Sequence, residues 1–154
     1  MACCATSLAQ KRRFIGFTVS DGLSQNSAHC IYQDSDGIIW IGTQDGLNMF
    51  DGHSFTTFRH NAKDSNSISD QFVLSIAEDR RGQLWVGTRN GLNRFNKYTQ
   101  QFSRYYFSDS AKQSISHAYP MLTRNAAGEI YVQGSTPAVI DTNGSLLVDP
   151  KALR

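Results

Sequence analysis

Apolar residues in this chain come in short runs, each closed by a cluster of Gly, Asp, Asn or Ser. Ile38-Ile39-Trp40-Ile41, Leu47-Asn48-Met49-Phe50 and Phe55-Thr56-Thr57-Phe58 are three of them. β-Branched and aromatic side chains dominate, and helical periodicity is absent, so the runs predict strands. The first unit reads as strand a over Ala28–Gln33, b over Ile38–Thr43, c over Leu47–Phe50 and d over Phe55–Arg59. Asp34-Ser35-Asp36-Gly37, Gln44-Asp45-Gly46 and Asp51-Gly52 supply the turns between them. Strand b is apolar at four successive positions, where a half-buried strand would alternate. That pattern predicts a strand covered on both faces by neighbouring sheets.

The unit recurs 45 residues later: Trp40 through Phe50 returns as Trp85 through Phe95, identical at the Trp, Gly-Thr, Gly-Leu-Asn and Phe positions. Leu23-Ser24 returns as Ile68-Ser69, and Asp34-x-x-Gly37 as Asp79-x-x-Gly82. Phe55-Thr56-Thr57-Phe58 corresponds to Phe102-Ser103-Arg104-Tyr105 after a two-residue insertion. A third, degraded unit begins at Ile115-Ser116 and passes through Asn125-x-x-Gly128. There Tyr131 stands in the Trp place, and Ala138-Val139-Ile140-Asp141 replaces the Gly-Leu-Asn-x-Phe stretch. Four-stranded units of this period predict an all-β partial β-propeller of about three blades. Residues 23–60, 61–107 and 108–150 are the expected blades, and 151–154 a tail. Residues 10–22 are expected to supply a lone closing strand, because Phe14 and Phe17 repeat the Phe55/Phe58 spacing. Closed rings need about 4–8 blades, so a piece of a longer propeller is expected.

Trp40, Gly42, Gly46, Trp85, Gly87 and Gly91 are read as structural repeat positions. The ring topology puts the d–a connections and b–c turns on one rim and the a–b and c–d turns on the other. The connections His60–Gln71 and Ser108–His117 are long and polar, and Gln44-Asp45 becomes Arg89-Asn90 between otherwise matching repeats. Variable loops on a rigid scaffold make Gln44, Asp45, Arg89 and Asn90 the ligand-binding candidates.

Other chemistry is sparse. Net charge is +2 with 18% charged residues, which does not suggest a nucleic-acid binder. His29, His53, His60 and His117 stand in no metal or nucleophile pattern. Asp34-Ser35-Asp36-Gly37 opens like a calcium loop, but the other repeats keep its Gly and lose its third-position carboxylate, so it reads as an Asx turn. Cys30 reads as a small core hydrophobe; no metal, cofactor or catalytic residue is expected. The start, Met1 through Ala9, resembles the end of a signal peptide, which points to export.

Leu23-Ser24-Gln25-Asn26, Ile31-x-x-Asp34-x-x-Gly37 and Trp40 through Asn48, with their second copies, resemble the two-component regulator propeller repeat. The third unit departs from it. The resemblance implies the periplasmic sensor region of a hybrid histidine kinase of Bacteroidetes-type bacteria, anchored in the inner membrane. It also implies oligosaccharide ligands, further blades and sensor domains as partners, and a homodimer in the full-length protein. An exported propeller enzyme such as a polysaccharide lyase, or an interaction scaffold, is the alternative.

Overall fold

The computed structural model describes residues 15–106, 120–134 and 137–148. The signal-like stretch 1–9, Cys3, Cys4, Phe14, His117, the connection 108–117 and the tail 151–154 lie outside the described residues. Among the described residues, twelve strands form three four-stranded antiparallel sheets, each in simple sequence order. Blade 1 holds β1 (Ala28–Gln33), β2 (Ile39–Thr43), β3 (Gly46–Phe50) and β4 (Phe55–Phe58). Blade 2 holds β5 (Val73–Glu78), β6 (Leu84–Thr88), β7 (Gly91–Asn96) and β8 (Gln101–Tyr105). Blade 3 holds β9 (Met121–Arg124), β10 (Ile130–Gln133), β11 (Ala138–Ile140) and β12 (Leu146–Val148). The strands of the first unit lie within one residue of their expected bounds.

Two apolar layers hold the blades face to face. Trp40, Leu47 and half-buried Phe58 of blade 1 meet Ile76, Leu84, Val86, Phe95 and Phe102 of blade 2. Trp85, Ala77 and Leu92, on the other face of blade 2, meet Ile130, Val132, Ala138 and Ile140 of blade 3. Register explains the division. Leu84, Val86 and Phe95 share one face, while Ala77, Trp85 and Leu92 share the other. All five residues of β6 are therefore buried, as its unbroken apolar run predicts. The equivalent β2 has Ile39 and Ile41 only half-buried, and Ile31 beside them is 67% exposed, because that face looks away from blade 2.

The first strands of successive blades, β1, β5 and β9, are the nearest neighbours between sheets, as inner strands around a hub should be. Their close approach sets the Gly-Thr signature. A Cβ added to Gly42 would stand 2.5 Å from both Cys30 Sγ and Val73 Cγ1. At Gly87 the added atom would overlap the Pro120 carbonyl and lie 2.5 Å from Ser75 Oγ. Gly42→Val should accordingly cost about 1–3 kcal/mol by overpacking, read as a lowered denaturant midpoint; an unchanged midpoint would mean the hub is looser than this.

The lone closing strand expected over residues 10–22 would pair with a blade that is not among these three sheets. Ile15–Thr18 joins no sheet, and Val19–Asp21 forms a 3-10 turn instead of extending a strand. Thr18 N and Oγ1 donate to Asp21 Oδ2 at 2.8 and 2.9 Å, and Val19 N donates to Asn26 Oδ1 at 2.9 Å, which bends the chain there. The side-chain equivalence nevertheless holds at Phe17. Its ring lies 4.9 Å from Phe50 and 5.6 Å from Phe55. Phe58 lies 5.0 Å from Phe95 and 5.7 Å from Phe102, the equivalent pair in blade 2. Phe17 thus does for blade 1 what strand d of blade 1 does for blade 2.

Candidate functional site

The d–a/b–c rim is built on a polar staple that appears twice. Asn48 Oδ1 accepts from Ser24 N at 2.9 Å, and its amide donates to Ser24 Oγ and the Ile41 carbonyl at 2.8 and 3.1 Å. The Ser24 and Thr43 hydroxyls pair at 2.7 Å. In blade 2, Asn93, Ser69, Val86 and Thr88 repeat every one of these bonds. The Ser, Thr and Asn of the repeat signature therefore tie each d–a connection to strands b and c. Buried polar groups in this number are tolerable because each has a partner. The Thr hydroxyls also close the b–c turns, accepting from Asp45 N and Asn90 N. Gly46 and Gly91 sit there at φ 126° and 111°, a backbone region that disfavours any side chain.

The four sequence-predicted residues sit on these turns, each engaged differently. Gln44 is exposed, and its backbone N–H donates to Gln25 Oε1 at 3.4 Å. Asp45 accepts from Arg59 Nη2 at 2.9 Å in a half-exposed ion pair. The Arg89 guanidinium carbon lies 5.2 Å above the centre of the Phe72 ring, within cation–π range. Asn90 is half-buried beside Thr88. Sequence reasoning missed the residues that connect them. The Gln71 carbonyl accepts from Gly46 N at 2.8 Å and the Phe72 carbonyl from Arg89 N at 3.1 Å, so one d–a connection joins the b–c turns of both blades. His29 stacks on Phe72 at 4.8 Å and 18°. Comparison of the repeats would have flagged both residues, since Phe72 stands opposite Ser27 and His29 opposite Leu74.

The opposite rim is shaped by the a–b turns. Asp34 Oδ1 accepts from the N–H groups of Asp36 and Ile38, and Asp79 Oδ1 does the same for Arg81 and Gln83. These are the expected Asx turns. The second oxygen of each takes the indole N–H of the repeat tryptophan: Trp40 to Asp34 at 2.9 Å, Trp85 to Asp79 at 3.0 Å. Among the described residues no group of three His, Cys, Asp or Glu is placed to hold a metal ion. Burial pushes the Cys30 thiol up to about 11, so it is a poor nucleophile at neutral pH.

Lys97 lies on the c–d turn of blade 2, where the insertion falls. Its ammonium reaches Asp34 at 2.9 Å, Asp36 at 2.7 Å and Glu78 at 3.0 Å, closing the seam between blades 1 and 2. Glu78 also accepts from Ser35 N and Oγ, both at 2.8 Å. Burial alone would raise the Asp34 carboxyl, but bonds from Trp40, Lys97 and Ile38 hold it below the ordinary carboxylate range. Desolvation likewise opposes the Lys97 charge, and the surrounding carboxylates overcome it and hold the ammonium above its ordinary value. Two grooves open on this rim. One of about 760 Å³ lies between the turns of blades 1 and 2, and one of about 340 Å³ runs on toward blade 3.

Residues 22–45 and 67–90 match the two-component regulator propeller family. These two stretches are two-component regulator propeller repeats. Over 63 residues, 40% of this chain, the sequence is 54% identical to histidine kinase P4 of Formosa agariphila, of which it spans 5%. In the solved structures the chain is similar to the extracellular domain of a hybrid two-component system from B. thetaiotaomicron. That match has a TM-score of 0.63 at 22% identity and covers 93% of this chain and 20% of the other. It is also similar to virginiamycin B lyase from Staphylococcus aureus, with a TM-score of 0.54 at 15% identity over 82% of this chain and 42% of the lyase. At such identities the structural likenesses show the propeller fold alone, and the regulator-propeller repeats give the family signal.

Proposed function

We infer that this chain is part of the extracytoplasmic, ligand-sensing propeller of a two-component sensor histidine kinase. The observation that carries the reading is the match of both intact repeats to the regulator-propeller family, with histidine kinase P4 as a relative. Its parent is periplasmic in this region and anchored in the inner membrane, and the propeller itself performs no catalysis. Oligosaccharides are the ligand class, and the d–a/b–c rim is where they bind. Phe72, flanked by His29 and Arg89, offers a ring platform there. Gln44, Asp45, Arg89 and Asn90 supply donors and acceptors for hydroxyl groups. A ligand signals by favouring one arrangement of the sensor over another.

Reading the gene on both sides of this frame tests the assignment. A membrane span and a histidine-kinase domain in the same frame are expected, and a polysaccharide-lyase domain there would overturn it. For the rim, Arg89→Ala should weaken binding of a short neutral oligosaccharide by about tenfold, the worth of one or two good hydrogen bonds. Arg89 is exposed, so its melting temperature should hold. Unchanged affinity would remove Arg89 from the site.

A further inference from the structure

Blade 2 departs from its neighbours at positions the fold leaves free. All three a–b turns keep the Asx and the Gly, but the two residues between are Ser35-Asp36, Arg80-Arg81 and Ala126-Ala127. The c–d turn of blade 2 also carries the insertion that introduces Lys97 and Tyr98. All four departures line the groove of about 760 Å³. Lys97 closes the seam between blades 1 and 2, and the other three carry side-chain groups that the fold leaves free. Tyr98 is 99% exposed, so its ring contributes nothing to the core. Arg80 and Arg81 pair with no carboxylate among the described residues.

The arginines are nonetheless positioned. The Arg80 stem lies against the backbone of Gly128, where an added Cβ would come within 2.9 Å of its Cδ. Arg81 Nη1 donates to the Asn143 carbonyl at 2.7 Å, which leaves further guanidinium donors for another partner. Asp36, the acidic group in the same groove, is neutralised by Lys97 at 2.7 Å. Arg81 and Gln83 also line the second groove, where Arg94 extends the basic surface toward blade 3.

We propose that this groove binds an acidic oligosaccharide, one bearing carboxylate or sulfate groups. Arg80 and Arg81 pair with the oxyanions, since a guanidinium fork matches such groups better than an ammonium does. Tyr98 lays its ring against a sugar face, as exposed aromatics do at amphipathic ligands. The proposal takes only the sugar class from the function proposed above and places a separate site on the opposite rim.

Titration calorimetry on the whole chain tests it with trigalacturonate, the neutral galactotriose and inorganic sulfate. Trigalacturonate should bind saturably and lose affinity as salt is added, while galactotriose should not bind this groove. Arg80→Ala with Arg81→Ala should weaken trigalacturonate by at least about tenfold, and the paired Lys variants should recover part of the loss. Tyr98→Ala should weaken trigalacturonate and leave sulfate unchanged. Tyr98 makes no core contact, so its variant should melt as the native chain does, and the paired Lys variants, which keep the charge, separate a loss of binding from the loss of the Arg81–Asn143 bond. Galactotriose binding as tight as trigalacturonate and weakened by the same double Ala variant, an unaltered double Ala variant, or no saturable trigalacturonate binding would each overturn the proposal. Sulfate binding as tight as trigalacturonate, indifferent to Tyr98, would mean a simple anion site and overturn it too. Arg89→Ala separates the two readings. A loss of trigalacturonate there, with none at Arg80 and Arg81, would support the loop rim and defeat this groove.

Discussion

Trp85→Ala is expected to cost the chain about 3–5 kcal/mol, lowering its melting temperature by roughly 6–20 °C for a domain of this size. Trp85 is 1% exposed and fills the layer between blades 2 and 3, with Tyr105 at 5.6 Å. Truncation opens a cavity between two sheets whose backbones are held apart by their own ladders, so collapse into it is limited. It also strips Asp79 Oδ2 of its indole donor, in a side chain that belongs to a residue only 3% exposed. Trp85→Phe divides the two effects, because it keeps most of the volume and loses only the donor. Tyr131, at the same repeat position, is 44% exposed, since its face looks away from blade 2 and meets no further sheet among the described residues. Tyr131→Ala should therefore cost well under about 1 kcal/mol. Thermal unfolding of both variants side by side is the check. Equal shifts, or none at Trp85, would contradict the stacking order of the blades.

The contrast between Trp85 and Tyr131 shows what the sequence made legible. The repeat fixed the strands, because each strand's length and turn residues are local properties that recur every 45 residues. It also marked Trp40, Trp85 and the glycines Gly42, Gly46, Gly87 and Gly91 as structural, although the reasons emerged only in three dimensions. The Asp34–Trp40 and Asp79–Trp85 bonds and the Ser–Thr–Asn staples join residues far apart in the strand order. The closing segment shows the limit of pattern matching. The Phe14/Phe17 spacing pointed to a segment like strand d without saying what its rings touch; Phe17 packs on Phe50 and Phe55, and the backbone just after it turns because Asp21 and Asn26 offer local acceptors.

Site residues were harder to read, since they are the positions at which repeats disagree. Gln44, Asp45, Arg89 and Asn90 are candidates on that ground, and the turns that carry them meet a common d–a connection at Gln71 and Phe72. The two grooves lined by the a–b turns lie on the other rim, which loop length alone did not favour, and a third of about 310 Å³ runs beside the d–a connection at Asn61, Asp64 and Ser67. Short turns can line a groove when their free positions carry long side chains, as Arg80, Arg81 and Tyr98 do.

Lys97→Met should destabilise the chain by about 3 kcal/mol at neutral pH, near the lower end for breaking a buried ion pair because the lysine side chain is 22% exposed. The partners make the loss large. The Asp34 side chain is fully buried and that of Glu78 is 4% exposed, so removing the ammonium leaves two desolvated carboxylates facing each other and Asp36. The pH dependence should reverse with it. In the native chain Asp34 is held below its usual value of 3.8, so its contribution is present above that pH and is lost as acid brings the pH down through the folded value. Lys97 is held above 10.5, so its contribution is complete below that pH and fades as alkali takes the pH up through the folded value. Between these limits native stability is flat in this cluster. Without Lys97, the burial of Asp34 is opposed by fewer bonds, those from Trp40 and the Ile38 backbone, so its carboxyl rises from its native value. A carboxyl less depressed in the folded variant than in the native chain gives up less stability as acid brings the pH down, so the variant should gain stability relative to the native chain on going from about pH 7 to pH 4. Glu78→Gln added to Lys97→Met should restore part of the loss and flatten that slope, because it removes the charge that had lost its partner. Denaturant unfolding at both pH values measures this. A Lys97→Met deficit that is the same at each, or one that Glu78→Gln deepens, would show that the lysine acts by packing its stem and not by neutralising the seam between the blades.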